Sequence, residues 1–349
     1  PKIDWKIGKT LKSNFAWKIK LIYIDPPYNT WNDSFWYNDK FNHSSWLTFM
    51  KNRLEIAKEL LKDDWVIFVS LSDKEAHYCK VLMDDIFWIN NFLSDIIWNS
   101  TKSVTNTAII SDSHTHNLVF FKNMNYYVKN RTEFRLKENW EGFSNPDNDI
   151  RWPWKADPFQ VWWWRPNQQY EIINPNTWKI YKPNEWSSWK NEYVKFQELL
   201  KDNRIVFWTD WTAWPQRKRF LSEAEDRGKV SKTLWTDLAT TTNWTQHLKN
   251  LFWWRLFDNP KPEELLERII DLSTKSWDIV LDYHLWSWTT CAVAHKMWRQ
   301  YIWIEQMDYI ENISVERMKK VIEWEQGWIS KNENWKGWWE FVYMEIMKA

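Results

Sequence analysis

The chain has 349 residues, enough for two domains or one large α/β unit, and no apolar run long enough to span a membrane. Two cysteines, Cys79 and Cys291, are too few for a disulfide framework, and no export leader is recognisable, so we expect a soluble cytoplasmic protein. The net charge of +1 hides two basic stretches, residues 1–20 and 217–219. Such stretches either follow DNA phosphates or are simply solvated surface.

The first part of the chain alternates predicted strands and helices. Residues 20–24 form a short apolar run typical of a buried strand, and it stops at a Pro-Pro pair. Apolar spacing predicts a helix over 44–62 with Ser44 as its N-cap, followed by a strand at 66–71. Residues 72–75, Ser-Asp-Lys-Glu, fit a capping box for the next helix, which runs to about 87. This order predicts a parallel sheet covered by helices.

The middle of the chain departs from this pattern. Residues 100–254 are polar, aromatic and interrupted by proline, without clear strand–helix alternation. We therefore predict an inserted region of mixed structure at 100–254 between two parts of one α/β unit, 1–99 and 255–349. The alternation resumes with Pro262, which suits the first turn of a helix. The remaining predicted elements are a strand at 279–282, a helix at 289–297, a strand at 301–305, a helix at about 308–326 and a closing strand at 340–346.

Tryptophan and glycine occur in unusual proportions. The chain contains 34 tryptophans and 5 glycines, whereas average usage predicts roughly 24 glycines. Trp65 and Trp88 follow predicted helices and Trp277 precedes a predicted strand, positions that favour the positive φ of glycine. We therefore hypothesise that most tryptophans stand where the functional protein has glycine, as when a stop codon reassigned to glycine is translated as tryptophan. The alternative is a truly tryptophan-rich protein.

Asp25-Pro26-Pro27-Tyr28, at the end of the first predicted strand, is suited to methylating an exocyclic amine. The lone pair of such an amine is delocalised, and acceptors for its protons draw the pair back onto nitrogen. The carboxylate of Asp25 and a backbone carbonyl of the Pro-Pro segment are such acceptors, and Tyr28 can stack on a base rotated out of the duplex. An ordinary tight turn after a strand has similar residues.

A second motif follows the strand at 279–282. Residues 282–290 lead through a short loop into a helix, and glycine at 286 and 288 would make this loop a close-approach turn for a nucleotide-like ligand. Two indoles at those positions would block the approach. Glu305 ends the next strand, where a carboxylate commonly binds ribose hydroxyls. Turn and acid together indicate an adenosine-containing cofactor.

With these motifs the chain resembles the β class of amino-methyltransferases, particularly the modification subunits of type III restriction-modification systems. The resemblance covers 25–32, 72–87, 261–290, 301–305 and 325–345, where Gly337-Trp338-Trp339 is similar to a Gly-Gly-Gly segment. It implies a Rossmann-like α/β methyltransferase fold in permuted order: a catalytic half (1–99), a target-recognition region (100–254) and a cofactor-binding half (255–349). Trp31, Trp286, Trp288 and Trp303 replace family glycines, and the short region before the first motif suggests a fragment.

The resemblance also implies an activity, a cofactor and partners. We expect methyl transfer from S-adenosylmethionine to N6 of adenine in double-stranded DNA, with the adenine flipped out and with Asp25, Pro26, Pro27 and Tyr28 catalytic. Pairing with a restriction subunit and homodimerisation are implied as well, and no membrane is involved. The implied cofactor-binding residues are Lys261, near the methionine end, and Asp282, Tyr283, Leu285, Trp286, Ser287, Trp288, Thr289, Thr290 and Glu305.

Alternatives remain at this stage. A cytosine N4-methyltransferase shares the fold, although its family more often has serine in place of Asp25, and a non-catalytic DNA-binding specificity module would follow if the tryptophans at 286 and 288 are real. His114 and His116 alternate along one strand, but no third ligand is near in sequence, so we expect no metal. Cys291 at a helix start has either a lowered pKa or a packing role. Phe35, Tyr37 and Phe41 either line the base pocket or pack.

Overall fold

The computed structural model describes residues 10–31, 39–208, 213–243, 245–246, 260–286, 288–305, 307–323 and 325–344. The chain forms two compact units, one made of 1–136 with 230–349 and the other of 137–229. The first unit contains the predicted motifs.

A seven-stranded mixed sheet forms the centre of the first unit, in the order β12-β3-β4-β2-β1-β13-β14. β1 pairs in parallel with both β2 and β13, β13 with β14, and β12 with β3, whereas β4 is antiparallel to β2 and β3. The strands are β1 (Ile19–Ile24), β2 (Leu61–Leu71), β3 (Phe92–Asn99), β4 (His114–Phe121), β12 (Leu234–Trp235), β13 (Ile279–Asp282) and β14 (Gln300–Trp303).

Helices cover this sheet. They are α1 (His43–Leu60), α2 (Ala76–Phe87), α3 (Met124–Lys129), α6 (Glu263–Ser273), α7 (Thr289–Lys296), α8 (Glu316–Ile322) and α9 (Ile329–Asn332). Apolar residues of alternate sheet faces pack into two clusters, because strand side chains alternate between faces: Ile22 and Ile24 join one cluster, Leu21 and Tyr23 the other. None of the described helices is long and apolar enough to cross a membrane.

The connectivity places a ligand crevice beside β1. The chain moves from β1 to β2 on one side, and β13 and β14 occupy the other side. In such sheets ligands bind outside the carboxyl ends of the strands where the direction of winding changes. The predicted Rossmann-like α/β fold is confirmed: helices cover the central sheet, and the strand of the Asp-Pro-Pro-Tyr motif precedes the strand of the predicted cofactor loop.

Several local predictions for the first unit are wrong in detail. α1 begins at His43 with Asn42 as N-cap and without a side-chain cap, so Ser44 is not the cap. β2 starts at Leu61, five residues earlier than predicted, and its buried residue Trp65 has no positive φ. Trp88 (φ 71°) and Trp277 (φ 72°) have the left-handed backbone predicted for them.

The C-terminal elements also differ from expectation. The helix predicted over 308–326 is a 3₁₀ turn (Asp308–Ile310), a π-helical segment (Glu311–Val315) and α8, which ends at Ile322. The predicted closing strand is wrong for residues 340–344, which form no strand, while 345 and 346 lie outside the described residues. Residues 340–344 have a strand-like composition, but no described strand pairs with them. A strand requires such a partner.

The second unit, 137–229, has its own small core, which includes Phe159, Trp189 and Phe196. A three-stranded sheet has the order β10-β11-β5, and two further pairs are β6-β9 and β7-β8. β4, by contrast, pairs with β3 in the central sheet, although β4 lies within the region 100–254 that we predicted to be an insertion. The elements are β5 (Trp154–Pro158), β6 (Gln160–Val161), β7 (Ile172–Ile173), β8 (Ile180–Tyr181), β9 (Ser188–Trp189), α4 (Tyr193–Lys201), β10 (Ile205–Val206), β11 (Gln216–Phe220) and α5 (Leu221–Arg227).

Candidate active site

The predicted site residues meet at one edge of the central sheet. Asp25 follows the last residue of β1, and Asp282 is the last residue of the adjacent parallel strand β13. Glu305 lies two residues beyond β14, the next strand. Residues more than 250 positions apart in sequence are thus brought together because parallel strands place their carboxyl ends at the same edge.

Asp25 has one paired and one unpaired carboxylate oxygen. Lys261 Nζ lies 2.6 Å from Asp25 Oδ2, and both side chains are largely buried. Oδ1 is buried and accepts no hydrogen bond within the described part of the chain. The Lys261 cation also lies 4.9 Å from the centre of the Tyr28 ring. Lys261, which resemblance assigned to the cofactor, therefore contacts the catalytic motif directly.

Two indoles bind the backbone of the same motif. Trp46 Nε1 donates to the carbonyl of Pro27 at 2.8 Å, and Trp286 Nε1 donates to the carbonyl of Asp25. Sequence reasoning missed Trp46, which lies in α1 and is completely buried. Its position in a helix, away from any turn, was the available signal that it differs from the other tryptophans.

The loop after Tyr28 is held by carboxylates. Asp39 accepts from the backbone N–H groups of Asn29 and Thr30, each at 2.8 Å, and from the Thr30 hydroxyl. Asn29, at φ 57°, donates its amide to Glu75 at 2.5 Å and accepts from Phe41 N at 2.8 Å. Phe41 also packs against Phe49. Phe35 and Tyr37 lie outside the described residues.

The predicted capping box has a different use. α2 begins at Ala76, and the side chain of Glu75 caps nothing. Ser72 instead donates its hydroxyl to the carbonyl of Tyr28 at 3.3 Å, and Glu75, fully buried, binds Asn29 and His43. Residues after β2 therefore support the loop after β1, because the two strands are parallel neighbours.

Asp282 organises the turn after β13. Its carboxylate accepts from His284 N at 2.9 Å and from the Thr290 hydroxyl at 2.7 Å. Burial raises the pKa of Asp282 to about 7 despite these hydrogen bonds. The Thr289 hydroxyl donates to the carbonyl of Lys261 at 2.8 Å, which links the start of α7 to the residue paired with Asp25. Ser287 lies outside the described residues.

The remaining predicted site residues lie around this turn. Leu285 is buried in the cluster beneath α7, and burial raises the pKa of the Tyr283 hydroxyl. Glu305 accepts hydrogen bonds from Met307 N at 3.1 Å and from the Tyr309 hydroxyl at 3.0 Å. The acid predicted to bind ribose hydroxyls thus lies beside the turn, as the spacing in sequence required.

An adenosine cofactor does not fit the residues as written. Trp288 is completely buried at the start of α7, with φ 63°, and its ring centre lies 3.5 Å from that of Trp303 on β14. Both indoles pack in the apolar cluster that contains Leu285 and Cys291, next to the turn after β13. Asp282 and Glu305, the acidic residues expected for such a cofactor, are present. The indoles block the close contact between backbone and ligand that glycine would allow.

Two further residues predicted from sequence have structural roles. Lys218 of the basic stretch 217–219 is buried and paired with Asp149 at 2.9 Å and with Asp147, so it is neither a phosphate contact nor solvated surface. Burial raises the pKa of the Cys291 thiol, so Cys291 has a packing role and the alternative of a lowered pKa is wrong.

The histidine pair does acquire a third neighbour. Asp73, although distant in sequence, lies close to His114 and His116, and the potential ligand atoms of the three fall within 4.8 Å of one another. Both ring nitrogens of His116 contact carboxylates, Asp95 at 2.6 Å and Asp73 at 2.7 Å. These contacts raise the pKa of His116 to about 9. They suit a protonated imidazole in an ion pair, since an imidazolium has no lone pair for a metal.

Comparisons with known proteins agree with this geometry. A family model described as DNA methylase matches residues 19–316. The "probable type III restriction-modification enzyme HindVI Mod subunit" of Haemophilus influenzae is 40% identical over 97% of this chain and 52% of that protein. The type III StyLTI Mod subunit of Salmonella typhimurium is 30% identical over 80% of this chain and 47% of that protein. The chain thus spans about half the length of these relatives.

One solved structure illustrates the structural comparisons. The PvuII DNA methyltransferase (cytosine-N4-specific) aligns over 95% of this chain and 91% of its own, with a TM-score of 0.47 and 13% identity.

Proposed function

Because this chain belongs to the DNA methylase family, we propose that it methylates the N6 amine of adenine within a specific sequence of double-stranded DNA. The observation that carries this proposal is Asp25 Oδ1, a buried carboxylate oxygen without a hydrogen-bond partner among the described residues. It lies at the end of β1, where the winding of the sheet changes direction. A buried acceptor left unpaired is costly unless a ligand satisfies it.

The amine would be held by two acceptors. Asp25 Oδ1 accepts one amine proton, and Lys261 keeps the carboxylate in place through its other oxygen. For the second proton we propose a backbone carbonyl of the Pro-Pro segment, namely that of Pro26, since the carbonyl of Pro27 already accepts the indole N–H of Trp46. Two acceptors favour the tetrahedral nitrogen of the transition state over the planar ground-state amine.

The adenine ring would stack on Tyr28 after leaving the duplex, because the amine is otherwise inaccessible. Hydrogen bonds from the backbone N–H groups of Asn29 and Thr30 to Asp39, and from the Ser72 hydroxyl to the carbonyl of Tyr28, hold this segment, so the ring is positioned before the base arrives. Such preorganisation lowers the entropic cost of aligning the reacting atoms.

We propose S-adenosylmethionine as the methyl donor, with Asp282, Glu305 and the turn at 283–290 around it. This cofactor would supply an electrophilic methyl group. The indoles at 288 and 303 close the site in the chain as written, so the proposal applies to a protein in which these positions are small.

The wider setting of the activity is also a proposal. The most similar relatives reported above are named Mod subunits of type III restriction-modification enzymes. We propose that this chain belongs to such a system in the cytoplasm, pairs with a restriction subunit and forms a homodimer. The region 100–254 would recognise the target sequence. It contains the second compact unit of the chain, 137–229, which has its own core.

The test uses the chain with glycine at 31, 286, 288 and 303 and measures methylated nucleosides after digestion of treated DNA. We expect N6-methyladenine, and a loss of about 10²-fold or more in rate for Asp25→Ala. Asp63→Asn, on an exposed carboxylate, is the matched control and should retain activity. Methylcytosine without methyladenine would establish the cytosine alternative, and DNA binding without either product would favour a non-catalytic specificity module.

A further inference from the structure

The backbone separates the tryptophans into classes. Among the described residues other than glycine, those with positive φ are all tryptophan or asparagine. Asparagine tolerates this conformation, whereas a bulky side chain there is a genuine outlier. The twelve tryptophans concerned are Trp17, Trp31, Trp88, Trp178, Trp186, Trp277, Trp286, Trp288, Trp298, Trp328, Trp338 and Trp339.

These positions have the structural roles of glycine. Trp88 caps the C-terminus of α2 at φ 71°, just as Gly228 caps α5 at φ 65°. Trp338 and Trp339 continue the positive φ of Gly337. Many of the indoles contribute little to packing: Trp88 is 65% exposed and Trp178 is 79% exposed.

A second class has the properties of genuine tryptophan. Six indoles are nearly completely buried, have no positive φ and donate their N–H to a protein acceptor. Buried indole N–H groups normally have such a partner. The donors and acceptors are Trp46 to Pro27 O, Trp98 to Ala239 O, Trp154 to Asp147, Trp189 to Tyr170 O, Trp235 to Ser231 and Trp335 to Val321 O.

Two buried indoles fail this criterion. Trp65 and Trp288 are buried, yet their N–H groups have no partner within the described part of the chain. An unpaired buried donor costs free energy that a genuine core tryptophan avoids. Trp288 combines this defect with φ 63° and with its close contact with Trp303.

We propose that the functional protein has glycine at the twelve positive-φ positions and at 65 and 303, and tryptophan at the six hydrogen-bonded positions. Glycine at 286, 288 and 303 opens the ends of β13 and β14 between Asp282 and Glu305, which gives the site room for S-adenosylmethionine. This last part rests on the proposed function. The assignment of the two classes does not, because it follows from backbone conformation, from indole hydrogen bonds and, for Trp303, from its close contact with Trp288.

The codons test the assignment directly. We expect the stop codon UGA at the fourteen glycine positions and UGG at the six tryptophan positions. UGG at the positive-φ positions, or UGA at the six hydrogen-bonded ones, would overturn the proposal.

Stability provides a test that is independent of the gene. Trp88→Gly and Trp178→Gly, one in each compact unit, should raise the melting temperature because they relieve a disfavoured backbone and remove little packing. Trp98→Gly and Trp189→Gly, the matched buried controls, should lower it. The reverse order would contradict the assignment.

Cofactor binding tests the site. We expect calorimetric titration with S-adenosylmethionine to show saturable binding to the Trp286→Gly/Trp288→Gly/Trp303→Gly variant, at least tenfold tighter than to the chain as written. Circular dichroism verifies that the variant is folded. A folded variant without tighter binding refutes the cofactor part, while binding without methylation of DNA leaves this inference intact and refutes the proposed function.

Discussion

Asp282 illustrates how position in the fold changes the chemistry of a single residue. It ends a strand that is buried on both sides, and the same burial that raises its pKa to about 7 applies to His284, whose pKa falls to about 3. Burial is the largest cause of both shifts, since it disfavours the charged form of either group. Hydrogen bonds from Thr290 and His284 N favour the carboxylate and limit the rise.

Asp282→Asn should therefore change how stability depends on pH. Because the folded pKa lies above the unfolded value of 3.8, Asp282 contributes stability that is complete below that value and is lost as pH rises through about 7. The loss is about 1.4 kcal/mol per pH unit within this window. We expect the variant to gain free energy of unfolding relative to the parent between pH 5 and 8, as measured by urea denaturation.

His284→Asn is the control for this experiment. The folded pKa of His284 lies below its unfolded value, so its contribution is present above about 6.5 and is lost as pH falls toward 3. The difference between this variant and the parent should consequently have the opposite slope. Parallel curves for the parent and Asp282→Asn would contradict the role of burial.

At the scale of elements, a buried ion cluster joins three helices of the first unit. Glu263 in α6 lies 2.9 Å from Lys296 in α7 and 3.0 Å from Arg317 in α8. Lys296 also lies 3.3 Å from Glu325. These four side chains are almost completely buried.

Lys296→Met should destabilise the chain by about 3–5 kcal/mol, because it leaves a buried carboxylate with one partner fewer. Thermal and urea unfolding measure the loss. Lys319→Met is the matched control, since Lys319 pairs with Glu316 on the exposed surface of α8 and should have little effect. Equal effects of the two substitutions would show that burial of the cluster is unimportant.

The same scale explains which elements were predictable. β1, α1 and α2 were predicted with approximately correct bounds because their apolar spacing is determined by the face that each buries. The role of the predicted capping box could not be predicted correctly, because Ser72 and Glu75 contact the loop after β1, more than forty residues away. Local patterns cannot distinguish a cap from a long-range partner.

At the scale of the whole molecule, the second unit has the properties of an independently folding insertion. Its core residues contact one another, and Lys218 with Asp147 and Asp149 forms a buried ion cluster within the unit. We expect the fragment 137–229 to unfold in one cooperative transition when expressed alone. Calorimetry measures this, and a fragment without a transition would show that the unit depends on the remainder of the chain.

The sequence by itself determined the local motifs of this protein: an Asp-Pro-Pro-Tyr motif after a buried strand, an acid after a later strand, and tryptophans at turns. These signals are local, since strand composition and turn conformation depend on neighbouring residues. Only the tertiary structure decided that Lys261 binds Asp25, that Asp39, Ser72 and Glu75 support the loop after β1, and which tryptophans have hydrogen-bonded indoles. Those facts depend on β1 lying between β2 and β13, a pairing that spans most of the chain and that no local pattern records.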